Sequence, residues 1–169
     1  MCGIIGYSGS LPAREILLDG LSALEYRGYD SAGVALFGEA GVSVTRTVGK
    51  VRVLRDLLEN APQPAAAPTC GIGHTRWATH GGVSETNAHP HRAGHVTLVH
   101  NGIIENYRAL RAELSGIGRE PVSQTDSELA AMLIDSHYTG DPAAAVYTAV
   151  GRMEGSWALC ILFDDRPGE

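Results

Sequence analysis

A cysteine stands one residue from the start of the chain, in Met1-Cys2-Gly3-Ile4-Ile5-Gly6-Tyr7. Removal of Met1, expected when the second residue is small, would make Cys2 the N-terminus. That one residue would then carry a thiol nucleophile and a free α-amine whose reference pKa of roughly 7.7–8.0 suits a base near neutral pH. The same cysteine could equally be a small buried hydrophobe in an edge strand, the commoner fate of a free thiol. Attack on a carbonyl would create a tetrahedral oxyanion, which needs fixed donors such as a backbone N–H and a side-chain amide. Asn101-Gly102 could supply both at the end of a strand, and the helix-like residues that follow weaken the alternative of a two-residue hairpin turn. Were the substrate a free amino acid, its α-carboxylate would want a bidentate guanidinium and its ammonium an anionic partner. Arg76, in a glycine-bounded loop with Trp77, and Asp126 are the candidates, although Asp126 serves as well as a helix N-terminal carboxylate.

From Thr75 to His91 no periodicity holds, and the segment is dense in chemistry-bearing groups: Arg76, Trp77, Thr79, His80, Asn87, His89 and His91. Structureless stretches of this length inside compact domains tend to be functional. His89-Pro90-His91 with His95 or His100 offers imidazoles to a zinc-like metal. A strand after His95 separates them, however, and no cysteine or acidic residue completes a ligand spacing, so no metal is expected. A protease-like pair of Cys2 and His80 has no local signature behind it.

Positioning these groups falls to alternating strands and helices. The segment after Cys2 reads as a strand, and Ser10-Leu11-Pro12-Ala13 as a helix start with a capping hydroxyl and a first-turn proline. Leu17, Leu21 and Leu24 then give residues 13–25 an amphipathic helix. Residues 26–33 read as a crowded loop, 34–37 and 42–48 as a hairpin, and 51–58 as a short helix. Residues 61–68, with three prolines, read as a surface loop. Residues 70–74 and 96–99 are expected strands. Ile103, Tyr107, Leu110 and Leu114 mark a helix, Thr125-Asp126-Ser127-Glu128 opens another with a capping-box pattern, and Asp141-Pro142 caps a third. Residues 156–164 read as a strand buried enough to be nearly all apolar. The order implies a layered mixture of sheets and helices.

At 169 residues and 44% hydrophobic content, the chain is long enough for one domain with a real core and short for two. The net charge of −6, with cations scattered, leaves no footprint for nucleic acid or an anionic membrane, so a small-molecule ligand is expected. No apolar run reaches the ~18 residues of a membrane span, and no basic segment precedes the first apolar residues as in a signal peptide. Cys2, Cys70 and Cys160 form no C-x-x-C pair and cannot all pair internally, which favours a reducing, cytoplasmic setting.

Six ordered segments together resemble a known family: CGIIGY at 2–7, LEYRGYDSAG at 24–33, HTRWATHG at 74–81, NAHPH at 87–91, HNGIIENY at 100–107 and SQTDSE at 123–128. They are similar to the N-terminal glutaminase domain of the glutamine–fructose-6-phosphate aminotransferases (isomerizing), or glucosamine-6-phosphate synthases, within the class-II glutamine amidotransferases. The resemblance implies an α+β fold, the αββα layered sandwich of N-terminal nucleophile hydrolases, over residues 1–169, incomplete at its C-terminal end. It implies Cys2 as nucleophile with its amine as base, and Asn101 and Gly102 as oxyanion hole. Arg76 and Asp126 would grip the carboxylate and amine of L-glutamine, Trp77, Thr79 and His80 would line the same pocket, and Arg27 would sit in a supporting loop. No cofactor is implied. The partners implied are sugar isomerase domains that bind fructose 6-phosphate, absent from this chain, and a homodimer for the full enzyme. YRGYDSAG, HTRWATHG and NAHPH favour the amino-sugar enzyme over amidotransferases of purine or asparagine synthesis. A non-catalytic binding remnant that retains the pocket is the reading from a different class.

Overall fold

Alternating burial along the strands sets the architecture, because successive side chains of a strand point to opposite faces. The computed structural model describes residues 2–39, 41–78 and 81–166. In chain order the elements are β1 (Gly3–Ser8), α1 (Ala13–Leu24), a 3₁₀ turn at Glu25–Arg27, β2 (Ser31–Gly38), β3 (Gly41–Val48), α2 (Val51–Asn60) and β4 (Cys70–Arg76). Then follow β5 (His91–Ala93), β6 (Val96–Ile104), α3 (Tyr107–Gly116), α4 (Asp126–Ser136), α5 (Pro142–Val150) and β7 (Gly155–Phe163). Among these residues no helix is long and apolar enough to cross a membrane.

The strands form two antiparallel sheets, ordered β1-β4-β2-β3 and β5-β6-β7. On β2, Val34 and Leu36 join Leu17, Leu21, Val51 and Leu54 beneath α1 and α2. Ala35 turns the other way and meets Ile72, Val99 and Leu162 between the sheets. On the far side, Val96, Leu98 and Ile104 of β6 pack against Ala130, Leu133 and Ile134 of α4 and Ala145 and Ala149 of α5. The result is helix–sheet–sheet–helix, the α+β sandwich expected from the sequence.

The seam between the sheets carries the reactive residues. On β1, Ile4 packs into it, on β4 Ile72, and on β6 Val99. Strand parity therefore directs Cys2, His74, Arg76 and Asn101 to the same side, at one end of the seam.

Several boundaries differ from the sequence reading. β2 begins at Ser31, inside the expected loop, because Ser31 pairs with both Val48 and Arg76. β6 runs past Asn101-Gly102 to Ile104, held by β7 through Ile104↔Gly155. Ile103 is thus a strand residue, and Asn101-Gly102 lies within the strand, not at its end. The start of α1 has no side-chain cap; Ala13 N–H donates instead to Pro68 O at 2.8 Å. Caps at the other two expected sites are present: Thr125 accepts from Glu128 N–H and Asp141 from Ala144 N–H. Glu128 does not complete the capping box, because its carboxylate accepts from Val122 and Ser123 N–H at 3.0 and 2.5 Å. β7 is half-buried rather than nearly all buried, its one partner among the described residues being β6.

Helix α2 offers a direct test of the core. Leu54 is 0% exposed and Leu57 45% exposed. Leu54→Ala should cost about 2–5 kcal/mol in urea-unfolding free energy and Leu57→Ala less than about 1 kcal/mol. Equal losses would place the helix in the wrong rotation.

Candidate active site

Cys2 is fixed by the pairing of β1 with β4, in register Gly3↔Thr75 and Ile4↔His74. Gly3 N–H donates to Thr75 Oγ1 at 3.2 Å, locking the start of the strand. The Cys2 Sγ then receives Trp77 N–H at 3.2 Å and lies 3.6 Å from Trp77 O. Across the seam, Asn101 Nδ2 donates to Cys2 O at 3.4 Å. Cys2 and Asn101 come from different sheets and meet only in the folded chain.

Gly102 follows with φ +130°, a backbone region that disfavours any side chain. A Cβ there would stand 2.1 Å from Ser156 O of β7. The glycine lets β6 keep its pairing while twisting its backbone beside Asn101.

Arg76 ends β4 and is only 4% exposed. Its guanidinium donates to Gly82 O at 3.2 Å and Gly81 O at 3.5 Å, and stands 3.9 Å from Asp30 Oδ1. Those carbonyls are themselves held: Asn87 Nδ2 donates to Gly82 O, Gly82 N–H donates to Gln124 Oε1, and Gln124 N–H donates to Asn87 Oδ1. Asp30 accepts Ala78 N–H at 2.5 Å, and its own N–H donates to Arg76 O at 2.7 Å. The Tyr26–Gly33 segment thereby braces the backbone that presents Trp77 N–H to the thiol.

Trp77 is 53% exposed, and its indole packs over Gly28, where a Cβ would come within 2.9 Å of the ring. Arg27, in contrast, faces solvent, its guanidinium over the Tyr26 ring at 5.6 Å, and it does not line the cavity. Asp126 is buried at the first turn of α4, where its Oδ2 accepts Ile104 N–H at 2.9 Å and so joins the helix to the end of β6. Thr79 and His80 lie outside the described residues.

Cys2, Arg76, Trp77, Asn101, Gly102 and Asp126 all line one cavity of about 320 Å³. Its dimensions suit a small polar molecule, and its walls carry a thiol, a guanidinium, a carboxylate and an amide donor.

His74, His89 and His100 also line it; the sequence reading weighed His89 and His100 only as metal ligands and did not name His74. His74 Nε2 is 2.9 Å from Asn101 Oδ1, His89 Nδ1 accepts His100 N–H at 3.2 Å, and His100 Nδ1 is 2.9 Å from Ser127 Oγ. Just outside, His91 Nε2 is 3.0 Å from Thr125 Oγ1. The usable signal was the density of histidines in otherwise apolar strands, which implies buried imidazoles with assigned partners. Among the described residues no group of three or more His, Cys, Asp or Glu side chains is arranged to hold a metal.

Burial is the main cause that drives the pKa of all four histidines down, to about 4 for His74 and about 3 for His91, with neighbouring cations adding to it for both. At His100 the Asp126 charge works against burial.

A profile of the glutamine amidotransferase domain family matches residues 74–168, more than half of the chain. The chain belongs to this family. It is 47% identical over 169 residues to the glutamine–fructose-6-phosphate aminotransferase (isomerizing) of Caldanaerobacter subterraneus subsp. tengcongensis, covering 99% of itself and 27% of that protein. With the enzyme of the same name from Streptomyces coelicolor it shares 49% over 171 positions, covering 99% and 28%. The amidotransferase chain thus spans about a quarter of the length of the curated relatives it matches. Its fold superimposes on glutamine phosphoribosylpyrophosphate amidotransferase from B. subtilis with a TM-score of 0.80 at 22% identity, covering 97% of this chain and 35% of that one. The two share the layered α+β sandwich of two packed sheets between helices.

The buried histidines of the amidotransferase domain make its stability depend on pH. Their folded pKa lies below the ordinary 6.5, so the unfolded chain takes up protons first. Stability is therefore full above about pH 7 and is lost as pH falls through 6.5 towards 4. Between pH 7 and 5, His74 and His91 should each remove about 2 kcal/mol of urea-unfolding free energy. His91→Gln should shrink that pH-dependent difference by about the same amount, and an undiminished difference would show that His91 is not neutral in the fold.

Proposed function

We propose that this chain is a glutaminase whose nucleophile is Cys2, exposed as the N-terminal residue by loss of Met1. The α-amine takes the thiol proton, and the sulfur attacks the side-chain amide carbon of L-glutamine. Asn101 Nδ2 and Gly102 N–H hold the oxyanion. The amine returns the proton to the leaving nitrogen, ammonia departs, and water releases glutamate from the thioester. Arg76 binds the substrate carboxylate and Asp126 its ammonium, with Trp77 at the rim and Thr79 and His80 completing the pocket. The observation that carries this reading is the convergence on one cavity of the Cys2 thiol, the Asn101 amide beside it, and separate cationic and anionic walls. Arg27 is assigned a supporting part through the Gly28–Asp30 segment behind Trp77.

The relatives at 47–49% identity support the amino-sugar assignment over the purine type, whose solved structures share 22% and 24%. In the longer protein the ammonia would pass to fructose 6-phosphate, bound by sugar isomerase domains, to form glucosamine 6-phosphate. A cytoplasmic homodimer accords with the same assignment.

Incubation with 6-diazo-5-oxo-L-norleucine, a glutamine-like electrophile, should add one label to the peptide that starts at Cys2. Cys2→Ala should abolish both labelling and ammonia release. Asp126→Asn should raise the glutamine KM by roughly ten- to a hundredfold, the loss of a charged hydrogen bond of about 1.5–3 kcal/mol. A folded chain that has lost Met1 and takes no label would overturn the reading, and an unchanged KM would remove Asp126 from the substrate site.

A further inference from the structure

The Asn101 side chain has two chemically opposite ends, and only one of them can serve an oxyanion. Its Nδ2 faces Cys2, reaching Cys2 O at 3.4 Å, while Oδ1 faces His74 Nε2 at 2.9 Å. The reverse orientation would set the Oδ1 lone pairs against the developing negative charge. Nothing in the amide itself prefers one orientation, so a neighbour must choose it. The side chain that meets Oδ1 is His74, on β4 across the seam and 1% exposed.

We propose that His74 is a positioning residue: its Nε2–H holds the Asn101 amide so that Nδ2 is presented to the oxyanion formed above Cys2. The inference rests on the glutaminase reading and deepens it. The surroundings fix the tautomer. A neutral imidazole carries a single N–H. Placed on Nδ1, it would be a buried donor with no hydrogen bond of good geometry, only the His100 backbone lying near the ring, and Nε2 and Oδ1 would meet lone pair to lone pair. Placed on Nε2, it satisfies Oδ1 and leaves only an acceptor unfilled, the cheaper omission. Burial keeps the ring neutral, its pKa pushed down to about 4. The ring plane is set by His89, stacked at a centroid distance of 4.1 Å and 20° between planes. His89 is itself anchored by His100 N–H at 3.2 Å.

Two reactions of the same thiol separate positioning from mere packing. Glutamine hydrolysis passes through an oxyanion, whereas alkylation of Cys2 by iodoacetamide is displacement at a saturated carbon and needs no oxyanion donor. On the full chain, His74→Leu should lower kcat by about ten- to a hundredfold, less than outright loss of a donor, with KM and the alkylation rate within about threefold. His74→Gln, whose amide N–H can stand where Nε2–H was, should recover kcat to within about fivefold of the unsubstituted chain. In an Asn101→Ala background, His74→Leu should change kcat by less than about threefold, because the donor it orients is gone.

A kcat within threefold in His74→Leu, a parallel fall in alkylation, or a full additional loss beside Asn101→Ala would each overturn the proposal. If His74→Leu does not fold, long-range ¹⁵N–¹H correlation on the unsubstituted chain decides: a proton on Nδ1 overturns it, a proton on Nε2 supports it. An unsubstituted chain that neither hydrolyses glutamine nor is alkylated at Cys2 would overturn the glutaminase reading, and this inference with it. Normal wild-type activity with an indifferent His74 would overturn this inference alone.

Discussion

The pleat of β1 against β4 governs everything at the mouth of the seam. With Ile4 opposite His74 and Ile4 packed between the sheets, parity sends Cys2 into the same space as His74 and Arg76. A slip of β1 by one residue would turn the thiol towards α1 while Arg76, held by the pairing of β4 with β2, still faced the cavity, since the side-chain period of a strand is two. The register is guarded at both levels that could move it. Gly3 N–H is bound by Thr75 Oγ1, and Ile5 and Tyr7 are tied into the core beneath α1. The catalytic geometry proposed for Cys2 is thus a consequence of core packing several residues away, and packing is where its precision originates.

The second sheet adds what the first cannot hold. Asn101 reaches the seam by the same parity on β6, two residues beyond the buried Val99. Helix α4 contributes Asp126, whose carboxylate is fixed by Ile104 N–H and whose flanking Thr125 caps the helix. A carboxylate at a helix N-terminus is stabilised by the dipole, and the substrate role proposed for Asp126 is compatible with that local one. They compete only when the sequence is read one position at a time.

That distinction explains what could be read without coordinates. The thiol, the amide, the guanidinium and the carboxylate were legible because each chemistry admits few residue types. The layered α+β plan was legible from periodicity. Strand ends were less so: β2 gains Ser31–Gly33 because it is paired on both sides, and β6 gains His100–Ile104 because it pairs with β7, far downstream in the chain. No local pattern encodes a partner that distant. His74 shows the same limit: it looks like one position in a buried strand and touches Asn101.

The electrostatic design of the seam follows from desolvation. Arg76 is a buried cation, its guanidinium met by Gly81 O, Gly82 O and Asp30. A second positive charge among His74, His89 and His100 would repel it at low dielectric and would compete for an incoming carboxylate. Burial prevents this by keeping the imidazoles neutral, so they supply hydrogen bonds without charge. The cavity wall then presents Arg76 and Asp126 as one charge of each sign, with neutral donors and acceptors between them. Such a wall complements a zwitterionic amino acid while burying no net charge on binding. The cost is a fold whose stability declines in acid, where the histidines that keep the seam neutral would have to accept protons.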